Sequence, residues 1–168
     1  MQYAKNEPSC QDNGDGTITD LVMGLMWAQS VDMDNDGDID AADKKTYDEA
    51  LAGAESFDLA GYDDWRLPTI KEQYSLILFS GMDPSGYDDN STDGLVPFID
   101  TDTFDFAYGD TDAGERIIDT QYASSSLYCA GAQCSDPKDG DPAEYPTGFG
   151  PQGDAIRIFN HVRCFRDI

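Results

Sequence analysis

The sequence predicts a single α+β domain, and three observations carry that prediction. Apolar residues recur at helical spacing in two consecutive segments of the first half, and short β-prone stretches stand near both ends. The long segments between them are rich in Asp, Gly and Pro, the composition of turns and irregular chain. A length of 168 residues fits one domain spanning 1–168, and 39% hydrophobic residues with eight Phe, nine Tyr and two Trp supply a core.

The opening stretch DNGDGTITDLVMGLMW holds a Gly-rich turn, the β-prone TIT and an apolar segment ending in Trp27, the pattern of a hairpin followed by a buried strand. Residues 32–43 form an acidic loop. In the following 44–57 segment Tyr47, Ala50, Leu51, Ala54 and Phe57 share one helical face. A second helix should start at Thr69, an N-cap whose Glu72 stands three residues on to complete a capping box, with Tyr74, Ile77 and Leu78 as its packing face. From Gly81 the chain becomes a long polar loop, and residues 95–128 read as short strands and turns with aromatic residues interspersed. Residues 135–153 are surface chain rich in Pro, Gly and Asp, and the AIRIFNHVRCF segment alternates as a closing strand.

Thirty-four acidic against ten basic residues give a formal charge of −24. Crowded like charge costs stability unless cations offset it, and it disfavours nucleic acid and anionic membrane surfaces as partners. No apolar run approaches the ~20 residues that span a bilayer, so membrane insertion is not expected. The first residues, MQYAKNEPSC, do not form a signal peptide, which leaves open a leader or anchor removed from the chain. With no CxxC and a single His, a Cys/His zinc site has no spacing to rest on. Two disulfides, Cys10–Cys164 and Cys129–Cys134, are the simpler reading, against free or differently paired thiols; they would place the chain in an oxidising compartment.

The loop DMDNDGDIDAAD carries the sharpest chemistry. Calcium is a hard cation that takes six to eight oxygens, and a loop of alternating acidic residues gathers them around one point. In the EF-hand-type pattern the first, third and fifth positions are Asp32, Asp34 and Asp36, Gly37 makes the sharp turn, and Asp38 offers its carbonyl. Asp40 binds through water, Asp43 closes the shell, and Ile39 anchors the loop to the core. Asp43 is one methylene shorter than the usual Glu, and no helix pattern precedes the loop, which argues against a paired sensor EF-hand. The bland alternative is a solvated acidic turn. Asp88, Asp89, Asn90 and Asp93 form a candidate second metal or ligand site, and the DPKDGDP segment at 136–142 a weaker one. The DNGDG at 12–16 is read as a hairpin turn.

The segments DNGDGTITDLVMGLMW, DWRLPTIKEQYSL and VRCFR, in that order, resemble the bacterial DUF1566 or Lcl C-terminal family, and PFIDTDTFDFAYGDTDAGERIIDTQYASSS is similar to one of its subfamilies. The resemblance implies a C-type-lectin-like, formylglycine-generating-enzyme-like fold in which two helices flank a small twisted antiparallel sheet and the termini pair, in agreement with a Cys10–Cys164 link. It further implies a secreted or surface-exposed bacterial protein. The family's best-studied branch, a collagen-like adhesin, binds sulfated glycosaminoglycans and assembles as a trimer. Trp27 and Trp65 would then be core aromatics, Arg66 an organiser of the turn before the Thr69 helix, and Arg163 its partner near the closing strand. Three departures mark this chain: Ala123 stands where the family's YWSST motif has Trp, a strand pair before the end is replaced by the Cys129–Cys134 segment, and the 32–43 loop looks inserted.

The expected function is a calcium-stabilised binding module at the cell surface, in the periplasm or outside the cell, serving adhesion or glycan recognition. Its partner would be a neutral glycan or a surface protein, since an anionic ligand meets like charge. A purely structural role in a larger extracellular assembly is the alternative, and the sequence sets no oligomeric state. Catalysis is not expected: His161 sits in the apolar FNHVRC stretch, no Ser/His/Asp or Cys/His order is present, and carboxylates alone do not make a glycosidase.

Overall fold

A computed structural model of the chain describes residues 8–84, 91–126 and 161–168. Four strands form one antiparallel sheet in the order β1-β2-β3-β4: β1 (Cys10–Asp12), β2 (Thr17–Asp20), β3 (Leu25–Ala28) and β4 (Phe165–Asp167). The Gly-rich turn joins β1 to β2 as expected, and its acidic residues serve it internally. Asp12 Oδ1 accepts the Gly14 N–H at 2.7 Å, while Asp15 Oδ1 accepts the Thr17 N–H at 3.1 Å. At the β2–β3 turn Asp20 Oδ1 does the same for the Val22 and Met23 N–H groups.

Two helices flank the sheet, which gives the α+β, lectin-like arrangement the sequence predicts. α1 (Tyr47–Glu55) is capped by Thr46, whose hydroxyl accepts from the Glu49 N–H while the Glu49 carboxylate accepts from Thr46. The T-x-x-E spacing of Thr46 and Glu49 is the sequence signature of this box. Ala50 and Ala54 are buried and Tyr47 and Phe57 pack beside them, whereas Leu51 is turned outward. α2 (Ile70–Gln73) has the Thr69–Glu72 capping box but lasts one turn, tightens into a 3₁₀ turn over Tyr74–Leu76, and is extended by Ile77. The buried residues are therefore Gln73, Leu76 and Ile77, and Tyr74 is 54% exposed rather than part of a packing face. The described part of 95–128 is turns with one isolated bridge, Tyr122 to His161; residues 135–153 and the first part of the expected closing strand, 155–160, lie outside the described residues, and the strand described at that end is Phe165–Asp167.

Alternation along the strands divides the core into two clusters. Ile18, Trp27 and Phe165 are cross-strand neighbours and pack with Leu25, Leu76 and Phe104. Trp27 and Phe165 stack with centroids 5.0 Å apart, a contact worth about 1 kcal/mol beyond burial. Met26, Ala28 and Cys164 belong to the other cluster, with Trp65, Leu67, Ala123, Val162 and the small side of α1. Both Trp residues are core, at 0% and 3% exposure.

The Cys10–Cys164 disulfide does not exist: both thiols are free. The strand order explains it, because Cys10 lies on edge strand β1 and Cys164 beside the opposite edge strand β4, with β2 and β3 between them. Strands lie about 4.8 Å apart, so three spacings exceed the Cα separation a disulfide tolerates. The side chains also serve different clusters, Cys10 packing against the Trp27 group and Cys164 against the Met26 group. Burial pushes the Cys10 thiol up to about 11, with Asp20 and Asp100 adding to the effect, and the Cys164 thiol up to about 12. Cys129 and Cys134 lie outside the described residues. Among the described residues no helix is long and apolar enough to cross a membrane.

The two arginines act separately. Arg66 forms a two-pronged pair with Glu72 at 2.8 and 3.2 Å and lies 3.7 Å over the Phe165 ring, fixing α2 to β4. Arg163 is buried and donates Nη1 to the carbonyls of Ala28 and Gln29 and Nη2 to that of Asp105, the last at 2.7 Å.

Candidate metal centre

Between β3 and α1, residues 32–43 turn back on themselves through their own carboxylates. Asp32 Oδ1 accepts the Asn35 N–H at 2.6 Å and its Oδ2 accepts the Gly37 N–H at 3.0 Å. Asp34 and Asp36 accept the N–H groups of Asp36 and Asp38 in the same way. Asn35 and Gly37 take positive φ of 60° and 95°, the left-handed geometry that Asn tolerates and Gly adopts freely. The outcome is a bend with the first, third and fifth carboxylates inside it. One oxygen from each of Asp32, Asp34 and Asp36 lies within 4.8 Å of the other two, a group able to chelate a cation.

The electrostatics of the loop favour a positive charge there. The Asp34 carboxyl is held above the ordinary range, first by partial desolvation and then by the carboxylates of Asp36, Asp43 and Asp32, against the lowering effect of its backbone hydrogen bond. A cation relieves that crowding.

The remaining predicted ligands stand differently. Asp38 is exposed and Asp40 half-buried, where its Oδ1 accepts the Ala42 N–H at 2.7 Å. Asp43 is 1% exposed and is not one of the three converging carboxylates: Oδ1 accepts the Met33 N–H at 2.6 Å and Oδ2 the Asp40 N–H at 2.9 Å. It thereby ties the loop's start to its end. Ile39 is half-buried. The next residue, Lys44, is buried and pairs with Glu115, donating also to the Asp119 carbonyl at 2.5 Å, while Glu115 accepts the Asp110 N–H. This clamp joins the acidic loop to the 109–119 loop, and no local pattern in the sequence announces it, because the partners are 71 residues apart.

A groove of about 570 Å³ runs beside the bend, bordered by Asp32, Asn35, Gln29, Phe57, Asp58 and Asp105. It mixes carboxylates and amides with an apolar ring. Of the second candidate set, Asp88, Asp89 and Asn90 lie outside the described residues, as does 136–142. Asp93 is exposed, its N–H donating to Ser91 Oγ at 3.2 Å. His161 is 1% exposed, and burial, with Lys44 and Arg163 nearby, pushes its pKa down to about 3 against the pull of Asp43. An imidazole that stays neutral at neutral pH and whose buried Nδ1 has no partner among the described residues is a packed residue, poorly suited to acid–base work.

No curated protein and no solved structure gives a significant match to the chain. The Lcl C-terminal domain family matches residues 16–141, well over half of the length and including the acidic loop, both helices and the clamp. The chain belongs to the Lcl C-terminal domain family.

Proposed function

We propose that the chain is a calcium-stabilised binding module of a secreted or surface-exposed protein, acting in adhesion by recognising a neutral glycan. The observation that carries this reading is the convergence of Asp32, Asp34 and Asp36 in a bend turned by Gly37. An all-oxygen donor set on a pliant loop suits calcium, whereas zinc favours nitrogen and sulfur in a closed tetrahedron and magnesium demands stricter octahedral geometry. The Asp38 carbonyl, a water held by Asp40 and the Asp43 carboxylate complete the shell in this reading. The groove supports the glycan part, since Asp32 and Asn35 belong to both groove and loop and Phe57 offers an apolar face to a sugar ring. The net charge of −24 selects against sulfated ligands.

Calorimetric titration of calcium into chelator-stripped protein tests the first part. One site, abolished in D34N and D36N, is the expected result; heats unchanged in those variants reject the assignment. A glycan array with and without calcium tests the second, and binding of neutral glycans undiminished by chelator rejects the coupling of sugar to ion.

A structural role in a larger assembly is the second reading, favoured by the exposed apolar turn of Leu21, Val22 and Met23 at 60%, 52% and 51%, next to Ile168, whose N–H donates to the Gly24 carbonyl. Monomeric behaviour of the parent protein, unaffected by L21S/V22S, would reject it.

A further inference from the structure

On the Trp27 side of the sheet a part-open pocket of about 90 Å³ lies among the apolar side chains of Leu76, Ile77, Phe98, Ile99 and Phe106. Three buried polar atoms without a hydrogen-bond partner among the described residues belong to residues that line it: Trp27 Nε1, Gln73 Oε1 and Arg163 Nε. Their residues are 0%, 6% and 2% exposed, so bulk water does not satisfy them. Packing fixes each one. Gln73 is oriented by its Nε2, which donates to the Ala123 carbonyl at 2.5 Å, leaving Oε1 as an acceptor. Arg163 is held through Nη1 and Nη2 by three backbone carbonyls and lies 4.9 and 5.5 Å from the Phe104 and Tyr122 ring centroids; it forms no ion pair among the described residues, and its Nε–H has no partner there.

Buried polar groups in native proteins are nearly always hydrogen-bonded, and leaving several unpaired around one apolar cavity is costly unless something fills it. The pattern is specific: two donors and one acceptor on residues that line a pocket whose other walls are aliphatic and aromatic, the usual composition of a small-molecule site. We propose that this pocket binds a small organic molecule with a short branched or cyclic apolar body and one carbonyl head, a carboxamide or carboxylate. The three atoms have almost no accessible surface, so the ligand displaces the lining side chains slightly as it enters; the head's oxygen then accepts from Trp27 Nε1 and Arg163 Nε, and a carboxamide N–H donates to Gln73 Oε1. The volume, about that of three waters in the liquid, limits the enclosed part of the ligand to a few heavy atoms. No residue of the acidic loop lines this pocket.

The chain's two tryptophans provide the test, because each gives one indole N–H resonance and Trp65 Nε1 is already bonded to the Tyr62 carbonyl at 2.9 Å. Full-length ¹⁵N-labelled protein would be titrated separately with isobutyramide, isobutyrate and xenon. A saturable shift of the Trp27 indole signal with isobutyramide or isobutyrate, at unchanged Trp65, supports the proposal. The tighter of the two identifies the head: isobutyrate through the Arg163 charge, isobutyramide through Gln73. Q73M should weaken isobutyramide about tenfold and leave isobutyrate unchanged. A Trp27 signal that responds to xenon alone, or to none of the three, overturns it.

Discussion

Replacing Arg163 with Met keeps the apolar stem and removes the guanidinium from three backbone carbonyls at once. The Ala28 carbonyl is fully buried, while those of Gln29 and Asp105 are partly so. A buried acceptor left dry costs about 1–3 kcal/mol. Taking the middle of that range for Ala28 and the low end for the two that water can reach gives a loss of about 4 kcal/mol. A domain holds only 5–15 kcal/mol in total, so the variant should approach the folding threshold. Urea denaturation followed by tryptophan fluorescence measures it: with a slope of about 2 kcal/mol/M the midpoint falls by about 2 M. R163K retains charge and three donors on one atom and should recover part of the loss, because one ammonium cannot span three carbonyls. A loss under about 0.5 kcal/mol in R163M, the range of ordinary surface changes, would refute the reasoning that this arginine holds β3, β4 and the 105 segment together.

Acid should destabilise the fold through His161. The unfolded imidazole takes a proton near 6.5 while the buried one, facing Lys44, Asp43 and Arg163, does so only at about 3. The unfolded chain therefore binds more protons between those values, and stability falls as pH drops through them, by up to about 1.4 kcal/mol per unit; H161Q should flatten that slope in melts from pH 7 to 4. Glu49, Glu72 and Asp64, held below the usual carboxylate range by Thr46, by Arg66 with Thr69 and by Arg166 respectively, should leave a residual loss below their ordinary titration range. Peptide mapping without reductant should find no Cys10–Cys164 cross-link, and iodoacetamide at pH 8 should leave Cys164 unmodified until the protein is denatured; rapid native labelling would contradict its burial. T46A and T69A should each cost about 1 kcal/mol in urea melts, and no loss from either would mean its helix is held by packing alone.

Local chemistry was legible in the sequence and long-range placement was not. The hairpin turn, the Thr69 box, the acidic bend and the buried strand ending in Trp27 each follow from a few neighbouring residues, while the core place of Trp65 follows from the family resemblance. The length of α2 did not, since the apolar spacing of Tyr74, Ile77 and Leu78 suits a helix, yet the chain turns extended at Ile77 and the Leu78 N–H donates to the Phe98 carbonyl. The disulfide failed for the same kind of reason. Spacing at the two ends suggested that Cys10 and Cys164 meet, but the strand order sets them on opposite edges of the sheet. Arg163 was placed beside Arg66 on resemblance, whereas Arg66 serves Glu72 and Phe165 and Arg163 serves carbonyls contributed by distant segments.

The sheet itself explains how the two proposed binding sites stand apart in this chain. Its period of two sends Trp27 to one face and Met26 and Ala28 to the other, so adjacent residues of β3 end up in separate cores. The acidic bend follows directly from β3 and leads into α1, whose Ala50 and Ala54 pack against the Met26 face, so a cation bound there orders that side first. The pocket draws on the other face and on α2, fixed by the Arg66–Glu72 pair. Arg163 is the residue common to both, because it grips the carbonyls at the end of β3 while its side chain lines the pocket. Coupling between the two sites, if titration of one changes the affinity of the other, must pass through the Ala28–Gln29 backbone that Arg163 holds. A cation that left the Trp27 indole resonance unmoved would make the two faces energetically independent.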